Sequence, residues 1–118
     1  MKYGLPEGVI QKIQAVFAHY PQVDTAILYG SRAKGNYRNG SDIDLTLKGG
    51  GELTAAVLYK IINELEEQLL PYTIDLSCYS DISDPDMLGH IQRVGIIFYS
   101  SRQTAPGNTT SSVSGSCR

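Results

Sequence analysis

The sequence is poor in cysteine, and its two cysteines form no recognisable pattern. Cys78 lies in an apolar run, and Cys117 is adjacent to the last residue. This is not the arrangement of a disulfide framework, and no Cys-x-x-Cys pair of the kind that binds zinc is present. We therefore expect a reducing location, the cytoplasm.

Two further absences narrow the classes of function. No apolar run approaches about 18 residues, and no charged segment followed by an apolar one opens the sequence, so we expect neither membrane spanning nor secretion. The formal net charge is −2, from 10 basic and 12 acidic residues. Because there is no basic excess, we expect no direct binding of nucleic acid through bulk charge, although a nucleotide needs only a local patch.

The sequence does have the composition of an ordinary globular protein. Of its 118 residues, 42% are hydrophobic and 19% are charged. This length suits one compact domain, which we assign to residues 1–100. Residues 101–118 are mostly Ser, Thr, Gly, Pro and Asn, so burial cannot offset their ordering entropy, and we expect a disordered polar tail.

Hydrophobic periodicity predicts the order of helices and strands. Apolar residues recur at helical spacing after Pro6 and at every fourth position in residues 53–70, which predicts two amphipathic helices. A short last helix is expected from Asp84-Pro85 to about Arg93. Alternation or clustering of apolar residues predicts four strands, at residues 23–29, 41–48, 72–79 and 96–99.

A glycine–serine pair and two aspartates follow the first predicted strand. Gly30-Ser31 ends that strand; glycine lets a phosphate approach the backbone, and the Ser31 hydroxyl adds a donor. Asp42 and Asp44 are separated by one residue on the second strand. The period of two puts both carboxylates on one face, where Mg²⁺ would relieve their repulsion. Taken alone, an ordinary turn and two solvated acids explain these residues at least as well.

Asp75 lies in the middle of the third predicted strand, between Ile74 and Leu76. A charge within an apolar strand is rarely found without a partner, and a nearby lysine or arginine would be the ordinary one. If this strand pairs beside the second, Asp75 can share one face of the sheet with Asp42 and Asp44. Three carboxylates would then be available to a shared cation.

Taken together, these residues resemble the signature of the DNA-polymerase-β-like nucleotidyltransferase superfamily. Ten residues separate Ser31 from Asp42, which gives G-S-x(10)-D-x-D, and Asp75 supplies the third, downstream acid. The surrounding segments LYGSRAKG and SDIDL also match, and the resemblance covers roughly residues 7–99. In length, the domain is similar to the minimal nucleotidyltransferases of the MntA type, which are antitoxins encoded beside HEPN-domain toxins called HepT.

The resemblance implies a fold of the α/β (α+β) class, with a short mixed sheet flanked by helices. It also implies that two Mg²⁺ ions, about 3.5–4 Å apart, support transfer of AMP from ATP to a hydroxyl, with release of pyrophosphate. Asp42 and Asp44 would bridge both ions, and Asp75 would complete the site that binds the acceptor. Gly30 and Ser31 would hold the β- and γ-phosphates. In MntA-like proteins the acceptor is a tyrosine of the HEPN toxin, which adenylylation silences.

The positions of two further residues, Arg32 and His90, bear on whether they have a role in the site. Arg32 directly follows Ser31, so we expect it to bind the nucleotide through a phosphate. His90 lies on the last predicted helix without an evident acidic partner, and we give it no role.

Two alternatives to protein adenylylation remain open. A nucleotidyltransferase that modifies a small molecule, such as an aminoglycoside, usually carries an extra substrate domain, and we see none here. A non-catalytic module that binds a nucleotide or a toxin would be a degenerate enzyme, yet all three acids and the glycine–serine pair are present. Nothing in the sequence decides the base of the nucleotide or the number of AMP units transferred.

Overall fold

The structure, a computed structural model, describes residues 1–101. Our expectation of a disordered tail concerns residues 101–118, which lie outside the described residues except for Ser101. The described part contains four helices and a four-stranded sheet of mixed direction, which confirms the predicted fold class. None of its helices is long and apolar enough to cross a membrane.

All four strands belong to one sheet. The helices are α1 (Glu7–Ala18), α2 (Gly30–Lys34), α3 (Ala55–Glu67) and α4 (Pro85–Val94), and the strands are β1 (Val23–Tyr29), β2 (Ile43–Gly49), β3 (Ile74–Cys78) and β4 (Ile96–Ser100). The strand order is β3-β2-β1-β4; β1 is antiparallel to β2 and β4, whereas β2 is parallel to β3. Parallel neighbours need a crossover connection, and α3 provides it.

The core lies between one face of the sheet and helices α1 and α3. Ile43, Leu45 and Leu47 of β2 are at most 1% exposed, as their period of two predicts. Phe17 of α1 and Ile61 of α3 are fully buried against them. Burying a side chain of this size stabilises the fold by about 1.5–3 kcal/mol. The apolar face of the sheet therefore packs against the helices, and polar residues lie on the opposite face.

Helix α3 is shorter than its periodicity predicts. It begins after Thr54, whose hydroxyl accepts a hydrogen bond from the Val57 amide (3.3 Å), and it ends at Glu67. Leu69 has a left-handed backbone conformation (φ +54°) and is 87% exposed, so the last apolar residue of the predicted stripe lies outside the helix. Pro71, which lacks an amide hydrogen, follows shortly afterwards and could not have continued the helix.

The start of helix α4 follows the sequence prediction. Asp84 caps the helix, because its carboxylate accepts a hydrogen bond from the Asp86 amide (3.0 Å), and Pro85 occupies the first turn. The helix stops at Gly95, where a Cβ atom would lie 2.4 Å from the Ile91 carbonyl oxygen. This stop lets the chain turn at once into β4.

Candidate active site

Three residues from neighbouring strands form one row across the sheet. Tyr29 of β1 is the register partner of Asp44 of β2, and Asp44 is the register partner of Asp75 of β3. Register partners on adjacent strands project to the same face. That face is opposite the core, because the row alternates along its strands with the buried Leu28 and Leu45. Two of the three predicted acids therefore lie side by side.

The Gly30-Ser31 turn packs directly against the carboxylate of Asp44. Gly30 has φ +76°, a conformation that glycine adopts readily and other residues adopt with strain. A Cβ atom at this position would lie 2.2 Å from Oδ2 of Asp44, so the close approach requires glycine. Ser31 follows in α2 and is half-buried. The structure thus brings the predicted turn and the carboxylate pair together.

The surroundings of Asp44 disfavour its charged form. Partial burial raises the pKa of the Asp44 carboxyl group, repulsion by Asp75 and Asp42 raises it further, and His90 lowers it. Asp75 and Asp42 are both exposed to solvent. A half-buried carboxylate next to two other acids is a site where a divalent cation relieves repulsion, and oxygen ligands are those that Mg²⁺ prefers.

Asp42 stands apart from the Asp44–Asp75 pair. β2 begins at Ile43, two residues later than predicted, and the Ile43 amide donates to the Thr73 carbonyl oxygen (2.9 Å). Asp42 therefore precedes the strand. Among residues 1–101, no group of three His, Cys, Asp or Glu side chains is arranged to hold a metal ion. Carboxylate oxygens are suitable ligands for a hard cation, but the three carboxylates do not converge on one point in this structure.

Helix α4 forms the other wall of a cleft of about 390 Å³ beside this row. His90 accepts a hydrogen bond at Nε2 from the Gly30 amide (3.1 Å). Its ring meets the Tyr29 ring edge-on, with the ring centroids 6.1 Å apart. His90, to which the sequence analysis assigns no role, therefore lies in the site. The residues that line the cleft are Tyr29, Gly30, Asp44, Asp75, Asp84, Asp86, Met87 and His90.

Sequence reasoning missed His90 and Tyr29 for different reasons. The partner of His90 is Gly30, 60 residues away, so no local pattern could reveal the contact. Tyr29 is the last residue of the strand predicted at residues 23–29, and it is 8% exposed. Burial raises the pKa of its hydroxyl, and the nearby Asp75 and Asp44 raise it further. Its position directly before Gly30-Ser31 is the signal that could have placed it in the site.

Arg32 does not lie where the sequence analysis expected it. The side chain is 3% exposed, and its guanidinium group donates to the carbonyl oxygens of Tyr3 (2.9 Å) and Ser41 (2.8 and 3.2 Å). It is also 5.3 Å from the ring centroids of both Tyr37 and Tyr72. Because these contacts hold the group inside the protein, Arg32 supports the loop before Asp42, and its binding of a phosphate stays a prediction.

A second hollow, of about 350 Å³, lies between α3 and β3. Its walls are mainly apolar and include Ile62, Leu65 and Leu76, with Glu66 as the one carboxylate among its described lining residues. None of the residues predicted to bind a metal or a nucleotide lines it. The chemistry of this chain is therefore assigned to the cleft of Asp44 and Asp75.

Comparisons with known proteins concern the family and the fold. A family model described as polymerase beta, nucleotidyltransferase, matches residues 11–104. No curated protein matched the sequence.

Several solved structures share the fold. A chain of a toxin–antitoxin crystal structure with AMP-PNP is 21% identical, with a TM-score of 0.62 over 85% of this chain and 77% of that chain. A chain of the toxin–antitoxin MntA-HepT structure is 17% identical, with a TM-score of 0.60 over 84% and 76%. A chain of a re-refined complex of tri-AMPylated Shewanella oneidensis HEPN toxin with MNT antitoxin is 17% identical, with a TM-score of 0.59 over 83% and 75%. At these identities, the likeness establishes the fold.

Proposed function

The chain belongs to the polymerase beta nucleotidyltransferase family, and from that premise we propose that it transfers AMP from ATP to a hydroxyl group of a partner protein in a Mg²⁺-dependent reaction. The observation that carries this proposal is the Asp44–Asp75 pair, which lines one cleft together with Gly30 of the Gly30-Ser31 turn. A nucleotidyltransferase needs carboxylates for cations and a backbone turn for phosphates at the same place. Here, residues of three separate segments would meet both requirements: Asp44 of β2, Asp75 of β3 and the Gly30-Ser31 turn.

The proposed metal ligands are Asp42, Asp44 and Asp75, which would hold two Mg²⁺ ions. Asp44 and Asp75 are already neighbours, and Asp42 would join them by rotation of its exposed side chain. The raised pKa of Asp44 is consistent with this assignment, because it arises first from burial of the carboxylate and then from repulsion by Asp75 and Asp42. When bound, Mg²⁺ would offset the charge of these carboxylates and of the ATP phosphates.

The Gly30-Ser31 turn would hold the β- and γ-phosphates of ATP. The left-handed conformation of Gly30 lets the backbone pass close to Asp44, which would place the phosphates beside the carboxylate pair. The Ser31 hydroxyl would donate to a phosphate oxygen. The nucleotide and the acceptor would then meet in the cleft with their reacting groups already oriented, and this lowers the entropic part of the barrier.

The proposed reaction is an in-line displacement at the α-phosphorus of ATP. The oxygen of the acceptor hydroxyl forms a new bond to this phosphorus, while the bond from the phosphorus to the oxygen that bridges the α- and β-phosphates breaks. Pyrophosphate leaves with the bonding electron pair. We assign uptake of the hydroxyl proton to Asp75, because it is the exposed carboxylate of the pair.

We propose a tyrosine of a HEPN-domain toxin as the acceptor, and a cytoplasmic antitoxin role for this chain. Similar folds occur in complexes described as MntA-HepT and as an AMPylated HEPN toxin with MNT antitoxin. That likeness supports the choice of partner. The open side of the cleft, where Asp75 is exposed, would receive the acceptor.

The direct test uses ATP labelled at the α-phosphate, Mg²⁺ and the protein encoded by the adjacent gene. We expect wild-type protein to transfer the label to that partner, and ATP labelled at the γ-phosphate to transfer none. Asp44→Asn should abolish transfer. Asp81→Asn is the matched control and should retain it, because Asp81 is an exposed aspartate outside the lining of the cleft.

Two results would count against the proposal. Transfer of the γ-label would identify a phosphoryl transfer instead of a nucleotidyl transfer. Equal labelling by wild-type and Asp44→Asn protein would show that the chemistry lies outside the cleft. Repeating the assay with CTP, GTP and UTP would establish the preferred base, and mass spectrometry of the labelled partner would identify the modified side chain and the number of AMP units.

A further inference from the structure

The amide of Gly30 has no backbone partner, for a topological reason. β1 ends at Tyr29 and α2 begins at Gly30, so this N–H group is the first of a helix and precedes every intrahelical hydrogen bond. Such an amide needs a partner from elsewhere when it is partly removed from water. His90 of α4 supplies it, through a hydrogen bond of 3.1 Å from the Gly30 amide to Nε2.

The hydrogen bond and a ring contact orient the imidazole. Because the Gly30 amide donates, Nε2 is the ring nitrogen that accepts in this contact. The edge-on contact with Tyr29, at an interplanar angle of 80°, restrains the plane of the ring. Tyr29 is itself buried, so its ring is held in place by the residues around it and restrains the His90 ring in turn.

Gly30 is therefore held from two sides. The Asp44 carboxylate lies against its α-carbon, where a Cβ would be 2.2 Å from Oδ2, and His90 binds its amide. We propose that His90 is a positioning residue, which holds the Gly30-Ser31 turn against Asp44 so that the turn can receive the nucleotide phosphates. This inference rests on the proposed nucleotidyltransferase function, because it concerns the same turn.

The hydrogen bond between Gly30 and His90 limits which groups of the turn can bind the phosphates. The Gly30 amide is committed to His90, so it is not a donor to the nucleotide. Phosphate contacts at this turn then fall to Ser31, through its hydroxyl and its amide. Gly30 contributes its conformation and its lack of a side chain, and His90 keeps that conformation in place.

Two variants of His90 separate a positioning role from simple packing. His90→Gln keeps a hydrogen-bond acceptor at a reach similar to that of Nε2, whereas His90→Phe keeps an aromatic ring next to Tyr29 and has no acceptor. Gln92→Ala is the matched control, because Gln92 is an exposed residue of the same helix outside the lining of the cleft. Thermal unfolding of all three variants verifies that each one folds.

The first measurement is amide hydrogen exchange of Gly30 by NMR, without nucleotide. We expect slow exchange in wild-type, His90→Gln and Gln92→Ala protein, and exchange faster by about tenfold in His90→Phe, as the loss of one hydrogen bond implies. Slow exchange of Gly30 in the His90→Phe variant would overturn the proposal. This measurement requires neither ATP nor activity.

The second measurement is the affinity for α,β-methylene-ATP in the presence of Mg²⁺, together with KM and kcat for ATP. In this analogue a methylene group replaces the oxygen of the bond that breaks, so it binds without being consumed. His90→Phe should weaken binding and raise KM by about three- to tenfold, with a smaller change in kcat, and His90→Gln should restore both. Tighter binding by His90→Phe would show that the imidazole blocks the nucleotide, and unchanged binding would show that it only packs; either result overturns the proposal.

The two measurements keep the failure of this inference separate from the failure of the proposed function. If wild-type protein binds the analogue and transfers no AMP, the transfer reaction is refuted, while the exchange and affinity results still decide the role of His90. If wild-type protein transfers AMP and the Gly30 amide exchanges equally fast in all four proteins, the reaction stands and His90 is not its positioning residue.

Discussion

Asp44 and Asp75 are register partners on the adjacent parallel strands β2 and β3, so their carboxylates leave the same face of the sheet side by side. Adjacent strands are about 4.8 Å apart, and two carboxylates at this spacing repel each other unless a cation or a proton intervenes. Burial raises the pKa of Asp44, and repulsion by Asp75 raises it further. Asp42, which precedes β2, adds to the repulsion from a more exposed position.

Asp42 provides the sharpest test of the proposed metal site, because it does not converge with the other two acids as they stand. We expect Asp42→Asn to raise the Mg²⁺ concentration for half-maximal AMP transfer by about 10- to 100-fold, the range typical for weakened metal ligation. The measurement is initial rate against Mg²⁺ concentration at saturating ATP. Asp81→Asn should titrate like the wild type; an Asp42→Asn variant that also does so would remove Asp42 from the ligand set.

The pKa of Asp44 predicts a pH-dependent change in stability. Because the folded-state pKa is raised, the folded protein binds this proton more tightly than the unfolded chain does. Ionised Asp44 therefore lowers the free energy of unfolding, and this loss develops as the pH rises from the ordinary aspartate pKa of about 3.9 through the folded-state value. We expect Asp44→Asn to have a higher Tm than wild type near neutral pH without Mg²⁺ or nucleotide, and the difference to vanish below about pH 3.5.

Thermal unfolding from acid to neutral pH, with Asp81→Asn as the control for loss of an exposed carboxylate, measures this effect. A lower Tm for Asp44→Asn at neutral pH would mean that the carboxylate is stabilised in the fold by interactions other than those described. Addition of Mg²⁺ should raise the Tm of the wild type and leave that of Asp44→Asn nearly unchanged, since binding to the folded state stabilises it.

Gly30 and Gly35 form a natural pair of test positions, since both have left-handed backbone conformations (φ +76° and +88°). A Cβ at Gly35 would meet nothing within 4 Å, so Gly35→Ala isolates the backbone strain, about 1–2 kcal/mol of stability. Gly30→Ala adds a collision with Oδ2 of Asp44. We expect Gly35→Ala to retain AMP transfer and Gly30→Ala to lose it, because the collision displaces the carboxylate.

Denaturant unfolding and the labelled-ATP assay, carried out on both glycine variants, provide the comparison. Equal transfer by the two variants would show that the close contact between Gly30 and Asp44 is not needed for the reaction.

Arg32 is predicted to act on stability. Arg32→Met keeps most of the length of the side chain and leaves the carbonyl oxygens of Tyr3 and Ser41 without their donor, which should cost about 2–4 kcal/mol. Lys34→Met, on the exposed side of the same helix, should change stability by less than about 0.5 kcal/mol. Urea denaturation measures both. Unchanged stability together with a raised KM for ATP would instead support the original expectation that Arg32 binds phosphate.

Local sequence patterns predicted the elements better than their ends. The apolar run at residues 23–29 coincides with β1, and the alternation of Ile43, Leu45 and Leu47 identified the buried face of β2. The start of β2 was placed two residues early, because the Ser41 carbonyl accepts hydrogen bonds from Arg32 and the ladder begins with the bond between Ile43 and Thr73. Strand ends depend on such competing partners, which periodicity does not contain.

Neighbours in the sequence were a poor guide to the surroundings of side chains. Arg32 follows Ser31 directly, but successive residues of a helix project about 100° apart, so the two side chains point to different surroundings. His90 carried no local signal, because its role comes from a contact with Gly30 across 60 residues. The role assigned to Asp75 depended on the pairing of its strand with β2, which the spacing alone left conditional.

The amino-acid sequence by itself determined the three longer helices and the four strands, the apolar face of the sheet, and the glycine–serine pair and aspartates that mark the family, because these are properties of residues a few positions apart. Tertiary structure alone decided which distant groups meet: Asp44 with Asp75, Gly30 with His90, and Arg32 with Tyr3 and Ser41. The physical reason is that strand register and helix packing are set by burial of the whole apolar core, to which every segment contributes at once.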